Sequence, residues 1–218
     1  LTLDYQTKCS LASGVVSGAE ALLRWLDAER GAIPPRDFIP VAEETDLILG
    51  LGSWVLKRAC AMLRERSRQG LPEVPIAVNV SVRQFVEQDV AELVRDALEE
   101  TGVDPQLLQL EVTEALLSRD AGRALHTLFA LKEMGVRLSL DDFGSGYFSL
   151  RELKHLPLDS LKIDPSFVRG MRSDDRDQAI VEAIVRTGHR LGFRVIAEGV
   201  ETAWEADRLR DLGCDEGQ

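Results

Sequence analysis

Residues 121–142 read AGRALHTLFALKEMGVRLSLDD, and this stretch contains a helical segment followed by a strand-like one. The pattern predicts a helix over Ala121–Met134 that a glycine closes at its carboxyl end. The short apolar run Val136–Leu140 predicts a buried strand. Two aspartates, Asp141 and Asp142, follow that strand directly. The stretch therefore combines a helix, a buried strand and two acidic side chains at the end of the strand.

The same alternation of amphipathic helices and short apolar strands continues along the rest of the chain. The further predicted strands are Val15–Ala21, Ile76–Val80, Leu107–Val112, Ser160–Ile163 and Phe193–Ala197, and the further helices are Trp54–Gln69, Val90–Glu100, Asp177–Leu191 and Ala203–Leu212. Repeated strand–helix units indicate a mostly parallel sheet with helices outside it. Their number favours a TIM-like (βα)8 barrel of the α/β class over an open sheet. A dinucleotide-binding fold is disfavoured, because no Gly-x-Gly-x-x-Gly motif follows the first predicted strand.

The length and composition predict one domain. The chain has 218 residues, of which 44% are hydrophobic, and this is enough for one core. We find no linker, repeat or low-complexity tract, so residues 1–218 are expected to form a single domain. A barrel of this type needs another strand where the sequence stops at Gln218, so we expect the carboxyl-terminal end to be clipped.

Charge and cysteine content narrow the function classes. The net charge of −11 disfavours a groove for long DNA or RNA, since such a surface repels phosphates. No stretch approaches the roughly 20 apolar residues of a membrane span, so we expect no membrane contact by this domain and a cytoplasmic location, although a parent protein could be membrane-anchored. Cys9, Cys60 and Cys214 match neither a zinc pattern nor a disulfide framework, and we expect buried thiols in a reducing compartment.

Polar side chains stand at the ends of the predicted strands. They are Glu20, Asn79, Glu111, Glu114, Asp141, Asp142, Lys162, Asp164 and Glu198. In barrels of this type the carboxyl ends of the strands converge on one face, where active sites lie. A single acid at such a place is usually a helix N-cap. Five strand ends that share the pattern instead indicate one common site.

Several carboxylates in one barrel mouth repel one another and need cations to stay ionised. Oxygen ligands of this kind suit Mg²⁺ or Mn²⁺ rather than zinc. The adjacent pair Asp141 and Asp142 could place one carboxylate between two ions, and two ions about 3.5–4 Å apart are a known device for in-line phosphoryl displacement. Lys162 has two interpretations at this point: it balances the charge of the acids, or it orients an attacking water and stabilises the developing negative charge.

Six short motifs are spread over nearly the whole chain. They are GAEALLRW at 18–25, VNVS at 78–81, EVTE at 111–114, DDFG at 141–144, LKID at 161–164 and AEGVET at 197–202. In content and order they resemble the motifs of the EAL-domain cyclic di-GMP phosphodiesterases. The resemblance implies a barrel whose first strand is antiparallel to the others. It also implies hydrolysis of one phosphodiester bond of cyclic di-GMP to linear pGpG by metal-activated water.

The resemblance further implies roles for individual residues. The implied ligands of a first metal ion are Glu20, Asn79, Glu111 and Asp141. The implied ligands of a second ion are Asp141, Asp142 and Glu198. The implied catalytic residues are Glu20, Glu198, Lys162 beside the attacking water, and Glu114, which holds the loop that carries Asp142. The implied substrate contacts are Gln6, Leu23 and Arg24, with Arg24 at a phosphate, and the implied supporting residues are Asp164, Glu201 and Gln218.

Cofactors and partners follow from the same resemblance. It implies two Mg²⁺ or Mn²⁺ ions as cofactors, and inhibition by Ca²⁺, which prefers longer bonds and higher coordination numbers. The implied small-molecule partner is cyclic di-GMP. The resemblance also implies a homodimer and a place in a larger sensor or GGDEF-containing protein.

Four positions depart from the family pattern. Thr7 replaces a proline, Ser145 a commoner threonine, Phe148 a serine, and Glu205 a frequent glutamine. Because Phe148 belongs to the loop that follows Asp142, we expect this change to affect rate and regulation more than binding.

Two other functions remain open from the sequence. A module that binds cyclic di-GMP without cleaving it would share these motifs, but such proteins usually lose a metal ligand, and every matched ligand is present here. A barrel glycosidase with two carboxylates would account for Glu111 and Glu198. It would not account for Asn79, Lys162 or the aspartate pair, and only 6% of the residues are aromatic, which is few for a sugar cleft.

Overall fold

The computed structural model describes residues 1–119, 121–144 and 150–218. Two of the unusual positions, Ser145 and Phe148, lie outside the described residues. The expected effect of Phe148 on rate and regulation therefore stays a prediction.

Eight strands close into a barrel, and a ninth extends one of them as a hairpin. The strands of the described residues are β1 (Thr2–Ser10), β2 (Val16–Asp27), β3 (Gly31–Ile33), β4 (Ile76–Asn79), β5 (Leu108–Thr113), β6 (Arg137–Phe143), β7 (Ser160–Ile163), β8 (Arg194–Ala197) and β9 (Glu216–Gly217). The barrel runs β1-β2-β4-β5-β6-β7-β8-β9 and returns to β1, while β3 pairs with β2. β1 is antiparallel to both of its neighbours, and the other barrel pairs are parallel. The predicted α/β barrel with an antiparallel first strand is confirmed.

Helices connect the parallel strands and cover the outside of the barrel. Those of the described ranges are α1 (Pro35–Glu44), α2 (Leu47–Arg68), α3 (Val82–Glu87), α4 (Val90–Thr101), α5 (Glu114–Arg119), α6 (Ala121–Glu133), α7 (Leu150–Leu153), α8 (Pro165–Gly170), α9 (Asp175–Arg190) and α10 (Ala203–Asp211). α10 begins with a capping box, in which Thr202 and Glu205 accept each other's backbone N–H groups. Since glutamate and glutamine both serve in this motif, Glu205 fits its position.

The barrel strands and the helix layer share one hydrophobic core. Leu108, Leu110 and Val112 of β5 are completely buried, and the strand is apolar toward the helices, as expected for a parallel strand covered on both faces. Leu128 and Leu131 of α6 belong to the same buried cluster. This packing fixes the strands, and therefore fixes where their ends lie.

The predicted elements lie within a few residues of the observed ones, with three notable differences. The strand predicted over Val15–Ala21 continues to Asp27, so Glu20 lies within β2 and does not end it. The strand expected after Gln218 is found at Glu216–Gly217, where it already pairs with both neighbours and closes the barrel. The sequence analysis does not predict β1, although apolar Leu1, Leu3 and Tyr5 alternate with polar residues at its start.

Among the helices of the described ranges, none is both long enough and apolar enough to cross a membrane. α2 has 22 residues but carries charged side chains, including Lys57, Arg64 and Glu65. The cytoplasmic location stays a prediction.

Candidate metal centre

The barrel strands and the residues that follow them bring together, at the mouth of the barrel, a set of polar side chains that we call the acidic ring. Its members are Glu20 of β2, Asn79 of β4, Glu111 of β5, Asp141 and Asp142 of β6, Lys162 of β7, Glu198 after β8 and Gln218 after β9. Strand register sets their heights, since Asn79 is paired with Glu111 and Thr113 with Asp141. The barrel geometry therefore assembles these groups from positions up to 198 residues apart.

Lys162 lies at the centre of the acidic ring and is completely buried. Its Nζ atom is 2.7 Å from Oε2 of Glu111 and 3.0 Å from Oε2 of Glu20. The same atom is 3.2 Å from Oδ1 of Asp141 and 2.6 Å from Oε1 of Glu198. Burial alone would lower the pKa of Lys162, but the surrounding carboxylates, Glu111 foremost, raise that pKa well above its usual value. Lys162 is therefore a cation at neutral pH, with four carboxylate neighbours.

Three donors hold the carboxylate of Glu20. Its Oε1 atom accepts a hydrogen bond from Nδ2 of Asn79 at 2.6 Å. Its Oε2 atom accepts from Nε2 of Gln218 at 2.6 Å and from Lys162 at 3.0 Å. Burial opposes ionisation, but the charge of Lys162 and these hydrogen bonds together keep the pKa of Glu20 below its usual value. Glu20 is therefore ionised at neutral pH.

Asp141, Asp142 and Glu198 form a closely spaced group of carboxylates within the acidic ring. Each offers an oxygen, and these oxygens all lie within 4.8 Å of one another. The backbone aids this approach, because the register of β6 against β7 shifts between Leu140 and Phe143. Asp142 has φ of 53° and its N–H donates to Oδ1 of Asp141 at 3.0 Å. Such a bulge re-aims side chains, and a left-handed non-glycine residue is strained.

Glu114 lies behind this bulge. Its Oε1 atom accepts a hydrogen bond from the backbone N–H of Gly144 at 3.0 Å. Gly144 has φ of 99°, and a Cβ at this position would come within 2.9 Å of the ring of Phe167. Glu114 therefore contacts the backbone at Gly144, two residues after Asp142. The family resemblance implies that Glu114 holds this loop.

The four other carboxylates of the acidic ring are harder to ionise than Glu20. Burial raises the pKa of Glu198 to about 7, against an opposing effect of Lys162. Burial likewise raises the pKa of Asp141 and of Glu111. For Asp142, burial is again the main cause and the nearby charge of Asp164 adds to it. Without added cations, Glu198 is therefore the member of the ring whose pKa lies close to neutral pH.

Lys8 is a second buried cation at this centre, and sequence reasoning misses it. It lies on β1 with 2% of its surface exposed, and its Nζ atom is 2.5 Å from Oε1 of Glu111. The only signal in the sequence is its spacing of two residues from Gln6, which places both side chains on one face of a strand. That signal is usable only once β1 is known to be a strand.

The residues of the centre fit hard divalent cations. Five carboxylates face two ammonium groups, Lys8 and Lys162, which leaves three uncompensated negative charges if all are ionised. All donor atoms other than the two lysines and the amide nitrogens are oxygens, as Mg²⁺ and Mn²⁺ require. In addition, Oε1 of Gln218 is buried and has no hydrogen-bond partner in the described part of the chain. A cation or its hydration shell would satisfy this acceptor.

The implied substrate contacts lie beside the acidic ring. Leu23 and Arg24 line a cavity of about 340 Å³ together with Asn79, Asp141 and Asp142. The Nε atom of Arg24 donates to Oδ2 of Asp4 at 2.9 Å, and a third of the Arg24 side chain is exposed.

Gln6 is not among the residues that line this cavity. Its Oε1 atom accepts from Nε2 of Gln218 at 3.3 Å, so it lies at the rim of the ring. A larger cavity of about 920 Å³ lies elsewhere, and its apolar lining contains no described member of the ring.

The two remaining supporting residues have mainly structural contacts. Asp164 caps α8, accepting from the N–H of Ser166 at 2.7 Å, and it influences the ring through its charge near Asp142. Glu201 is exposed, and its backbone N–H donates to Oε2 of Glu205 at 2.9 Å. The structure thus places Asp164 next to the ring and Glu201 in the capping region of α10.

Comparison with known proteins agrees with this arrangement. The bifunctional diguanylate cyclase/cyclic di-GMP phosphodiesterase MucR of Pseudomonas aeruginosa is 45% identical over 214 residues, which are 98% of this chain and 31% of MucR. The cyclic di-GMP phosphodiesterase NbdA of the same organism is 40% identical over 215 residues, which are 99% of this chain and 28% of NbdA. This chain therefore spans less than a third of the length of either relative.

A solved structure of the PaMucR phosphodiesterase in a c-di-GMP complex superposes on the barrel with a TM-score of 0.96 at 44% identity. The match covers 100% of this chain and 88% of that one. The sequence profile described as EAL domain matches residues 1–218. Since this match covers the whole sequence, the chain belongs to the EAL domain family.

Proposed function

We propose that this chain is a cyclic di-GMP phosphodiesterase that hydrolyses one phosphodiester bond of its substrate and releases linear pGpG. The observation that carries the proposal is the buried ammonium of Lys162 among four carboxylates at the barrel mouth. MucR and NbdA, which share this domain, are named cyclic di-GMP phosphodiesterases, and a MucR structure contains c-di-GMP. The relatives are much longer, so their other activities are not transferred to this chain.

The proposed cofactors are two Mg²⁺ or Mn²⁺ ions. Glu20, Asn79, Glu111 and Asp141 would hold the first ion, and Asp141, Asp142 and Glu198 the second. Gln218 would close the site from β9, where its free Oε1 atom supports the assignment. Bound divalent ions would supply Lewis-acid stabilisation of phosphate oxygens and favour deprotonation of the attacking water.

The side chain of Lys162 has the central role among the groups of the chain itself. Its ammonium can donate three hydrogen bonds, and its neighbours in the acidic ring keep it charged. With those carboxylates engaged by bound cations, the ammonium would be available to orient the attacking water and to stabilise the charge that develops on the phosphate oxygens. Attack breaks the P–O3′ bond, so the product has a 5′-phosphate and a free 3′-hydroxyl group.

Substrate binding is proposed for the cavity beside the ring. Its apolar wall, which includes Ile39, Leu51 and Val55, supports contact with a base, and Arg24 at its edge is placed for a phosphate. Arg24 would exchange its contact with Asp4 for the phosphate, which offers bidentate hydrogen bonding. Leu23 and Gln6 complete the proposed contacts. In this proposal, Arg24 and the metal ions allow an acidic protein to bind cyclic di-GMP, which is a small dianion.

The direct test is incubation of the purified chain with cyclic di-GMP and Mg²⁺ or Mn²⁺, with the products separated by chromatography. We expect pGpG with either ion, and no product with EDTA or with Ca²⁺ alone. A control variant, Lys132→Met, should form pGpG as wild type does, because Lys132 is a half-buried lysine whose ion pair with Asp159 lies outside the acidic ring. Binding of cyclic di-GMP without cleavage under every metal condition would make the chain a receptor and contradict the proposal.

The setting of the domain is also proposed. We infer a place in a larger protein, because the chain spans less than a third of the length of MucR or NbdA, and we infer a homodimer from the family resemblance of the motifs. Sedimentation analysis with and without cyclic di-GMP tests the dimer, and a monomer at all concentrations would contradict it.

A further inference from the structure

Lys8 is not a member of the acidic ring and lies one layer deeper in the barrel than the ring does. Gln6 is paired with Glu20, and Lys8 with Gly18, so two residues of β1 separate the two levels. The stem of Lys8 passes close to Gly18, since a Cβ there would lie in van der Waals contact with Cδ of Lys8, at 4.0 Å. Lys8 therefore approaches the ring from inside the barrel, away from the substrate cavity.

The two lysines engage different oxygens of Glu111. Lys8 is 2.5 Å from Oε1, and Lys162 is 2.7 Å from Oε2. Lys162 divides its ammonium among four carboxylates, whereas Glu111 is the carboxylate partner found for Lys8 within the described ranges. The Glu111 side chain has no exposed surface, so water does not compete for these oxygens. Lys8 is thus dedicated to one atom of one proposed metal ligand.

We propose that Lys8 is a positioning residue that holds Oε1 of Glu111 away from the metal centre, so that Glu111 offers Oε2 alone. This inference rests on the proposed metal centre. Mg²⁺ requires short bonds in near-octahedral geometry, whereas Ca²⁺ accepts six to eight oxygens and often takes both oxygens of one carboxylate. By removing Oε1 from the available ligands, Lys8 makes the centre favour Mg²⁺ over Ca²⁺.

The test is titration calorimetry of Mg²⁺ and of Ca²⁺ into substrate-free protein. Wild type, Lys8→Met and the control Lys132→Met are compared. In Lys8→Met we expect the Mg²⁺ dissociation constant to rise on the order of tenfold, because the partner that orients a ligand is lost. The Ca²⁺ dissociation constant should rise less, since the released Oε1 becomes a ligand, and the affinity ratio should shift toward Ca²⁺ by about threefold or more. Lys132→Met should retain both wild-type constants.

The outcomes separate this inference from the proposed function. Absence of Mg²⁺ and Mn²⁺ binding by wild type would remove the metal centre itself. Normal binding by wild type with an unchanged Mg²⁺ to Ca²⁺ ratio in Lys8→Met would overturn the role of Lys8 and leave the metal centre intact. Circular dichroism establishes that each variant is folded. If Lys8→Met does not fold, Lys8→Gln replaces it, since it removes the charge and retains an N–H donor. The same shift in ratio is then expected in a smaller amount, and an unchanged ratio would again overturn the inference.

Discussion

The Nζ atom of Lys162 lies 2.6 Å from Oε1 of Glu198, and this contact joins the ends of two neighbouring strands, β7 and β8. Burial nevertheless raises the pKa of Glu198 to about 7. A group whose pKa lies near neutral pH therefore contacts a lysine whose pKa is raised well above its usual value. The ring should respond to pH through the carboxylate and not through the lysine.

Replacement of Lys162 separates its two interpretations. If it orients the attacking water, Lys162→Met should lower kcat by on the order of 10²-fold or more at saturating metal, because the effect belongs to the transition state. Binding of cyclic di-GMP, measured in Ca²⁺, should stay within a few-fold of wild type. Lys162→Arg should restore little of the lost kcat, since the planar guanidinium group of arginine does not replace a compact ammonium. Full turnover of Lys162→Met at high Mg²⁺ would instead favour simple charge balance.

Glu20→Ala should nearly abolish hydrolysis and leave the fold intact. The change removes a proposed ligand and also frees the amide donors of Asn79 and Gln218 that now hold it. Turnover at saturating Mg²⁺ and circular dichroism are the measurements. Glu100→Ala is the control, because Glu100 is an exposed glutamate whose ion pair with Lys57 lies outside the acidic ring. Near wild-type turnover of Glu20→Ala would show that Glu20 is not a metal ligand.

Metal-free protein should lose stability as the pH rises from about 4.5 to about 7. These limits are the ordinary pKa of a glutamate and the raised pKa of Glu198. Within this window the folded chain binds more protons than the unfolded chain, so the free energy of unfolding falls with pH and levels off above it. The loss from this group is at most about 3 kcal/mol.

Urea unfolding at several pH values, in the presence of EDTA, measures this slope. Glu198→Gln cannot titrate and should show a flatter profile between the same limits. The prediction is wrong if wild type and Glu198→Gln have parallel profiles.

The three thiols should differ in reactivity toward a thiol reagent. Burial raises the pKa of Cys60 to about 11 and that of Cys214 to about 12, so neither forms the reactive thiolate at pH 8. The buried thiols expected from the sequence are confirmed at these two positions, whereas Cys9 is partly exposed. We expect at most one rapid reaction per folded chain, at Cys9, and three after unfolding. Rapid labelling of folded Cys9→Ser would contradict this assignment.

Periodicity predicts the parts of the fold in which burial is regular. Helix α2, for example, buries Val55, Leu56, Ala59, Cys60 and Leu63, at the three- and four-residue spacing that the sequence indicates. β1 is missed although Leu1, Leu3 and Tyr5 alternate with polar residues, which is the pattern of a half-buried strand. The alternation is short and Lys8 breaks the expectation of a polar, exposed face, so pairing with β2 and β9 is what shows the full extent of the strand.

The site was predictable to the extent that strand ends are predictable. Asp141 and Asp142 follow an apolar run, and that position alone directs attention to them. The bulge and the left-handed conformation of Asp142 are set by neighbouring strands, so no local pattern announces them. Lys8 is harder still, since a lysine in sequence normally indicates solvent exposure, and its burial depends on a carboxylate 103 residues away.

The shortest barrel strand has a consequence for the order in which this protein assembles. β9 has two residues, and it alone bridges β8 to β1 while the following residue, Gln218, reaches Glu20. Contacts so distant in sequence form late in folding, because the entropy of closing a long loop must be overcome first. A cation bound by both Glu20 and Gln218 would therefore stabilise the pairing of β9 with β1, which closes the barrel. Amide hydrogen exchange at Leu11, whose N–H donates to the carbonyl oxygen of Asp215 just before β9, should then slow when a cation is bound, although Leu11 is not a proposed metal ligand.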